Sequence, residues 1–335
     1  MRKTFIILAI VLQVAILAFI AGKREIIVST GETVFLRTAP IDPRDMFRGD
    51  FVRLQYEISS IPMSKVRGDF SAAKDKEQYV LYAVMKKDER GLGELEYVTD
   101  VKPEGNVFYL KGRTTKHWRF QQSSKSLSLQ YGIEAYYVEQ GKGKGIEEKR
   151  GRRTDVQIPM EMEVAVGSDG TPVINGYRWS PIGVGLKVLV RPERNSQNPP
   201  RSATVRLILQ NVSEDPLALV DLPNSCSFFL EPVVGANKQL TPDSSLCDDI
   251  LPVDEHVILL QPQEKHEVDF DFTNERWQVT DNDKKVEIGT LEWSERFRIV
   301  YRPPNENVAQ NLANKDSIWH GHLPSRAFHG GGNVD

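Results

Sequence analysis

Four carboxylates, Asp42, Asp45, Asp50 and Glu134, are the residues of this 335-residue chain whose type best suits chemistry. Carboxylates set across a cleft serve as general acid and base in polymer hydrolysis. A serine peptidase would instead need an activated hydroxyl beside a base. Between Ala39 and Asp50 there is no serine or threonine, so that segment supplies no nucleophile. His320 and His322 flank Gly321, and on a strand both rings would share one face, with His329, His256 or His266 as further ligands. No Cys/His spacing fits a zinc module, and no metal is expected. Asp243, Asp248, Asp249, Asp254 and Glu255 lack the Asp-x-Asp-x-Asp-Gly order of a calcium loop. Gly141-Lys142-Gly143-Lys144-Gly145 lacks P-loop spacing and reads as a solvated basic loop running on to Arg153. No cofactor is expected.

Three of the four carboxylates cluster in a dense segment, Asp42-Pro43-Arg44-Asp45-Met46-Phe47-Arg48-Gly49-Asp50, which runs into Phe51-Val52-Arg53-Leu54-Gln55-Tyr56. Asp-Pro and Gly-Asp are turn chemistry, and the residues after them alternate as a strand. A one-residue slip would turn Val52, Leu54 and Tyr56 to solvent. A second segment reads Tyr131-Gly132-Ile133-Glu134-Ala135-Tyr136-Tyr137-Val138-Glu139. In this order the two segments resemble the signatures of the GDYXXLXY proteins, over roughly residues 1–190. Phe51 departs from the family pattern, standing where the family name carries Tyr. The resemblance implies a membrane-anchored bacterial protein of unestablished activity, working beside a polytopic membrane protein. It marks Asp42, Pro43, Arg44, Arg48, Gly49, Asp50, Phe51, Leu54, Tyr56, Tyr131, Gly132, Glu134, Tyr137 and Glu139 as structural or binding residues.

The elements that must position these residues begin with an apolar run, Phe5 to Gly22, broken only by Gln13. As a helix it rises about 27 Å, close to the hydrocarbon thickness of a bilayer. Arg2 and Lys3 precede it, which favours a cytoplasmic N-terminus with the bulk of the chain outside. The pairs Ala18/Ile20, Phe19/Ala21 and Ile20/Gly22 make poor cleavage sites, so the segment reads as a retained single-pass anchor in the cytoplasmic membrane. Cys226 and Cys247 are the only cysteines. Outside the cytoplasm they either pair or stand as two free thiols. A net charge of -3 gives no reason to expect nucleic acid as a partner.

A mainly β fold is expected, with an anchor over 1–22 and a β-rich domain over 23–191. Pro192 to Ser202, without an apolar side chain beyond proline, reads as a linker. Residues 203–329 carry alternating runs such as Val268/Phe270/Phe272 and Phe297/Ile299/Tyr301, the pattern of an immunoglobulin-like sandwich. Ile318 to Phe328 is read as its last strand and 330–335 as a frayed tail. A non-catalytic binding or assembly role in the cell envelope is the leading expectation. The alternatives are a carboxylate-dependent hydrolase of an envelope polymer, and an inhibitor-like peptide-binding module exposing Phe228-Phe229-Leu230 or Trp319.

Overall fold

The computed structural model describes residues 2–41, 51–68, 78–114, 126–139, 142–152, 155–191, 202–233, 240–242, 247, 250–281 and 283–334. Strands dominate, preceded by one long apolar helix, α1 (Arg2–Thr30). That helix is long and apolar enough to cross a membrane. It outruns the Phe5 to Gly22 segment by two turns, because Ile26, Ile27 and Val28 give its end an apolar face. Ile27 is buried against Ala165 and Val173, with Val28 beside them.

The chain divides into two compact units, residues 1–138 with 161–178, and residues 139–160 with 179–335. In the first unit the strands are β1 (Glu32–Ile41), β2 (Phe51–Tyr56), β3 (Ser60–Pro62), β4 (Val66–Arg67), β5 (Val80–Lys87), β6 (Gly93–Thr99), β7 (Tyr109–Thr114), β8 (Ser126–Gln130), β9 (Ala135–Tyr137), β10 (Met160–Val166) and β11 (Pro172–Trp179). They form a five-stranded sheet in the order β11-β10-β1-β2-β9 and a six-stranded sheet in the order β3-β8-β7-β5-β6-β4. The outer strands of the second sheet, β3 and β4, are joined by only one 3-10 turn, Met63–Lys65. A link that short spans no more than about 14 Å, so the sheet must curl until its two edges nearly meet. The result is close to a barrel.

The second unit takes in a helix, α2 (Lys142–Arg150), from the stretch between β9 and β10. The basic stretch expected as a loop is therefore largely helical. Lys144 pairs with Glu148 one turn on, and Lys149 lies over the Trp179 ring, contacts that offset its two internal glycines. Behind it Gln157 bridges back onto β12 (Ile182–Val190). The remaining strands are β13 (Thr204–Asn211), β14 (Leu217–Val220), β15 (Phe228–Pro232), β16 (Thr241–Pro242), β17 (Val257–Leu260), β18 (Lys265–Asp271), β19 (Val279–Asp281), β20 (Lys284–Val286), β21 (Phe297–Tyr301), β22 (Leu323–Pro324), β23 (Phe328–His329) and β24 (Asn333–Val334), with a single-turn helix α3 (Glu306–Ala309).

β12 pairs antiparallel with β13, from Ile182↔Asn211 to Val190↔Thr204. Residues 192–201 of the expected linker lie outside the described residues, and the strands on either side of them, β12 and β13, both belong to the second unit. Side chains of the β12-β13-β18 sheet and of the sheet built on β15, β21 and β23 fill one core, with Phe228, Phe270, Phe272, Phe297 and Phe328 at its centre. Phe228, Leu230 and Trp319 are buried and present no apolar surface to a peptide, while Phe229 is half-buried with the Arg302 guanidinium over its ring. The last strand expected over Ile318 to Phe328 is reduced to two-residue pairings, and His320 and His322 lie outside regular strand. The expected frayed tail is packed instead. β24 pairs with β23, and the Gly330 carbonyl accepts from Ala203 N–H at 2.7 Å. A side chain at Gly330 would meet Ile288 backbone at 2.3 Å, which explains the glycine. Cys226 and Cys247 are bonded, with Cα atoms 5.5 Å apart.

Candidate functional site

Alternation along β2 turns Val52, Leu54 and Tyr56 into the core, while Arg53 and Gln55 face solvent. The second motif segment closes on this strand, with Phe51↔Tyr137, Val52↔Tyr136 and Arg53↔Ala135 in antiparallel register. Two phenols then cross over. The Tyr56 hydroxyl donates to the Ile133 carbonyl at 2.7 Å, and the Tyr131 hydroxyl donates to the Ile58 carbonyl at 2.8 Å. Both acceptors belong to buried residues, so each bond gives a carbonyl a partner away from solvent. Burial, and secondarily the Glu134 charge, raises both phenols far above their ordinary range, so they remain neutral donors.

Glu134 holds the turn that opens the second segment, between β8 and β9. Its carboxylate accepts from Tyr131 N–H at 2.5 Å and Gly132 N–H at 3.0 Å, and its own carbonyl accepts from Leu54 N–H at 2.8 Å. Gly132 sits at φ +82°, a left-handed backbone that favours glycine. Leu54, Tyr56, Tyr131, Gly132 and Glu134 are thus one interlock. Tyr137 is 73% exposed, and Glu139 is exposed and paired with Lys142 at 2.7 Å, which holds its carboxyl below the usual range. Asp42, Pro43, Arg44, Asp45, Arg48, Gly49 and Asp50 lie outside the described residues.

Residues 13–176 match the GDYXXLXY protein family. The match covers both halves of the interlock, the later part of α1 and the sheet that joins them. No curated protein and no solved structure matches the chain. Of the letters that name the family, Leu54 and Tyr56 lie among the described side chains, and both mark a packed junction. Leu54 and Tyr56 supply buried volume, and Tyr56 supplies a hydrogen bond to the second segment.

A second cluster in the GDYXXLXY segment is not evident from sequence. Glu161 of β10 is wholly buried. Its carboxylate meets Arg178 Nε of β11 at 2.7 Å, the Arg90 guanidinium at 3.3 Å and Arg37 Nη2 of β1 at 3.7 Å. Arg37 reaches on to Glu57, just past the end of β2, at 3.6 Å, so charges of alternating sign step from β11 through β10 and β1 to that turn. Arg178 stacks on the Phe35 ring at 3.5 Å and donates to the Arg90 carbonyl at 2.9 Å. Arg90 sits in the β5–β6 turn, which Asp88 closes by accepting from Arg90 and Leu92 N–H. The same turn joins β1 where Phe35 N–H donates to the Gly91 carbonyl at 2.9 Å.

Burial alone would push the Glu161 carboxyl up. The charges of Arg90, Arg37 and Arg178 outweigh it and hold the group below the usual carboxylate range. Glu161 is a fixed anion that ties three arginines together, not a proton carrier. Alternation in Met160-Glu161-Met162-Glu163-Val164 suggests an outward Glu161, but β10 lies between β1 and β11 and is covered on both faces. The available signal was an arginine inside the apolar run Val34-Phe35-Leu36-Arg37 and an acid inside a second such run. Among the described residues no three His, Cys, Asp or Glu side chains converge as metal ligands.

Proposed function

We propose that this protein is a non-catalytic, single-pass envelope protein. It stands with its N-terminus in the cytoplasm and offers its two β-rich units as a platform for assembly beside a polytopic membrane protein. The observation that carries the reading is the use made of the motif residues. Glu134, the one described member of the four candidate carboxylates, has both oxygens engaged by backbone amides, and the motif tyrosines act through packing and hydrogen bonds. The helix leads into β1 with only Gly31 between them, which couples platform to anchor. The second unit is read as an immunoglobulin-like sandwich, supported by two sheets sharing one aromatic core. Such domains offer sheet faces and edges to partners.

Crosslinking in native membranes followed by mass spectrometry tests the assembly role. Recovery of a multi-span protein in stoichiometric yield is expected, and recovery of the chain alone at native abundance would sink the proposal. A periplasm-active phosphatase fused after Ser202 should be active and should stay with the membranes through an alkaline wash. An inactive fusion would reverse the orientation, and release into the soluble fraction would show a cleaved leader.

A further inference from the structure

A groove of about 1090 Å³ opens in the first unit beside the outer end of α1, just above the usual range for small-molecule clefts. One wall is the helix from Lys23 to Thr30, and the other is formed by residues 102–109 and the β10–β11 turn, 166–169. One ion pair joins the two walls, and two hydrogen bonds hold the second wall together. Lys23 Nζ lies 3.7 Å from Asp169, the Tyr109 hydroxyl donates to the Ser168 carbonyl at 3.2 Å, and Lys111 N–H donates to the Gly170 carbonyl at 2.8 Å. Gly170, at φ +78°, lets the turn approach so closely that a Cβ there would meet the Tyr109 ring at 2.4 Å.

The depth of this groove follows from helix geometry. The apolar run ends at Gly22, so Lys23 marks the edge of the hydrocarbon. From Lys23 to Thr30 the helix rises about 10 Å. The headgroup layer on each side of a bilayer is about 5–7 Å thick. The groove therefore spans the headgroup layer. Its charges are mixed, with Lys23 and Lys102 against Glu32, Glu104 and Asp169. Beside it Val101 is 68% exposed and Val107 39% exposed, apolar side chains on a loop otherwise rich in polar residues.

We propose that this groove seats the headgroup of a zwitterionic phospholipid, with Lys102 facing the phosphate, Glu104 facing the ammonium, and Val101 and Val107 resting on the bilayer surface. Glu32 pairs with Lys87 at 2.6 Å and Asp169 with Lys23, which leaves Lys102 and Glu104, one charge of each sign, to meet a headgroup. An anionic headgroup without an amine fits less well, because it offers Glu104 no cation. The inference rests on the membrane-anchored reading above. It adds a second contact with the bilayer, which fixes the tilt of the first unit over the membrane.

The test uses the full chain in nanodiscs holding phosphatidylethanolamine with a photoreactive diazirine near its glycerol backbone and an intact headgroup, or the matching phosphatidylglycerol. Crosslinked peptides from residues 102–109 and 166–169 are expected with phosphatidylethanolamine, about fivefold over phosphatidylglycerol, the ratio one added charge contact near a bilayer surface gives. The double variant Val101→Asp/Lys102→Glu should lose these crosslinks and keep those on residues 5–22. Crosslinks confined to residues 5–22 in the parent would overturn the groove while leaving the anchor standing. Equal yields from the two lipids, or groove crosslinks that survive in the double variant, would also overturn it. Absence of crosslinks on residues 5–22 would mark failure of the anchored reading itself.

Discussion

Replacing Glu161 by Gln keeps the shape of the buried side chain and removes its charge. Arg37 is 5% exposed, and Arg90 and Arg178 are part-buried, so the three guanidinium groups lose their central anion where water can replace it only in part. Breaking a buried ion cluster by removing one partner costs about 3–5 kcal/mol. For a unit of this size each kcal/mol moves the midpoint by about 2–4 °C, so a fall of about 6–20 °C is expected. Calorimetry of the full chain measures it, and hydrogen exchange in peptides from β1 and β10 assigns the transition to the first unit. The sign of the pH dependence gives a second readout. The Glu161 carboxyl is lowered in the folded state, so the folded chain binds fewer protons there than the unfolded chain. Its stabilisation is complete above the unfolded value of about 4.3 and is lost as pH falls through the folded value. The gap between parent and Glu161→Gln should therefore narrow on acidification. A variant that melts with the parent at neutral pH, or a gap that widens in acid, would refute the reasoning.

Tyr131→Phe should cost about 1–3 kcal/mol in urea melts by leaving the buried Ile58 carbonyl without its donor. Combined with Tyr56→Phe it should show coupling of about 0.5 kcal/mol or more, and strict additivity would mean that the two bonds do not share one junction. Gly132→Ala meets no atom within 4 Å, so only its positive φ is strained, and a loss of about 1 kcal/mol is expected; an unchanged midpoint would remove the left-handed turn from the account. Cys226 and Cys247 should resist alkylation under denaturing, non-reducing conditions, and reduction should cost about 3 kcal/mol for a loop of this size. Full labelling of both thiols would end that proposal.

Much of the first unit was legible because its signals are local. The apolar run and the β2 alternation each follow from neighbouring residues. The interlock was partly legible, since its residues were singled out, but neither phenol's acceptor could be read. Each acceptor is a backbone carbonyl more than 70 positions away, chosen by sheet order alone. The Glu161 cluster was missed because period-two alternation reports only one covered face, and β10 has two. The pairing of the strands that flank the expected linker was not legible for a similar reason. A polar, proline-rich stretch reads as a boundary, whereas here the strands on either side of it, β12 and β13, pair with each other.

The junction between helix and sheet has a mechanical consequence. Only Gly31 separates α1 from β1, and a side chain there would strike the Ile27 carbonyl at 2.4 Å and the Val166 carbonyl at 2.9 Å, so little slack is available. β1 is not an edge strand, for β10 flanks it on one side and β2 on the other. A tug on the membrane helix along β1 is therefore shared by two ladders strained in shear, rather than opening one strand bond by bond from its end. The joint acts as a stiff coupling. Movement of the helix within the bilayer would be passed to the unit outside as displacement of its middle strand.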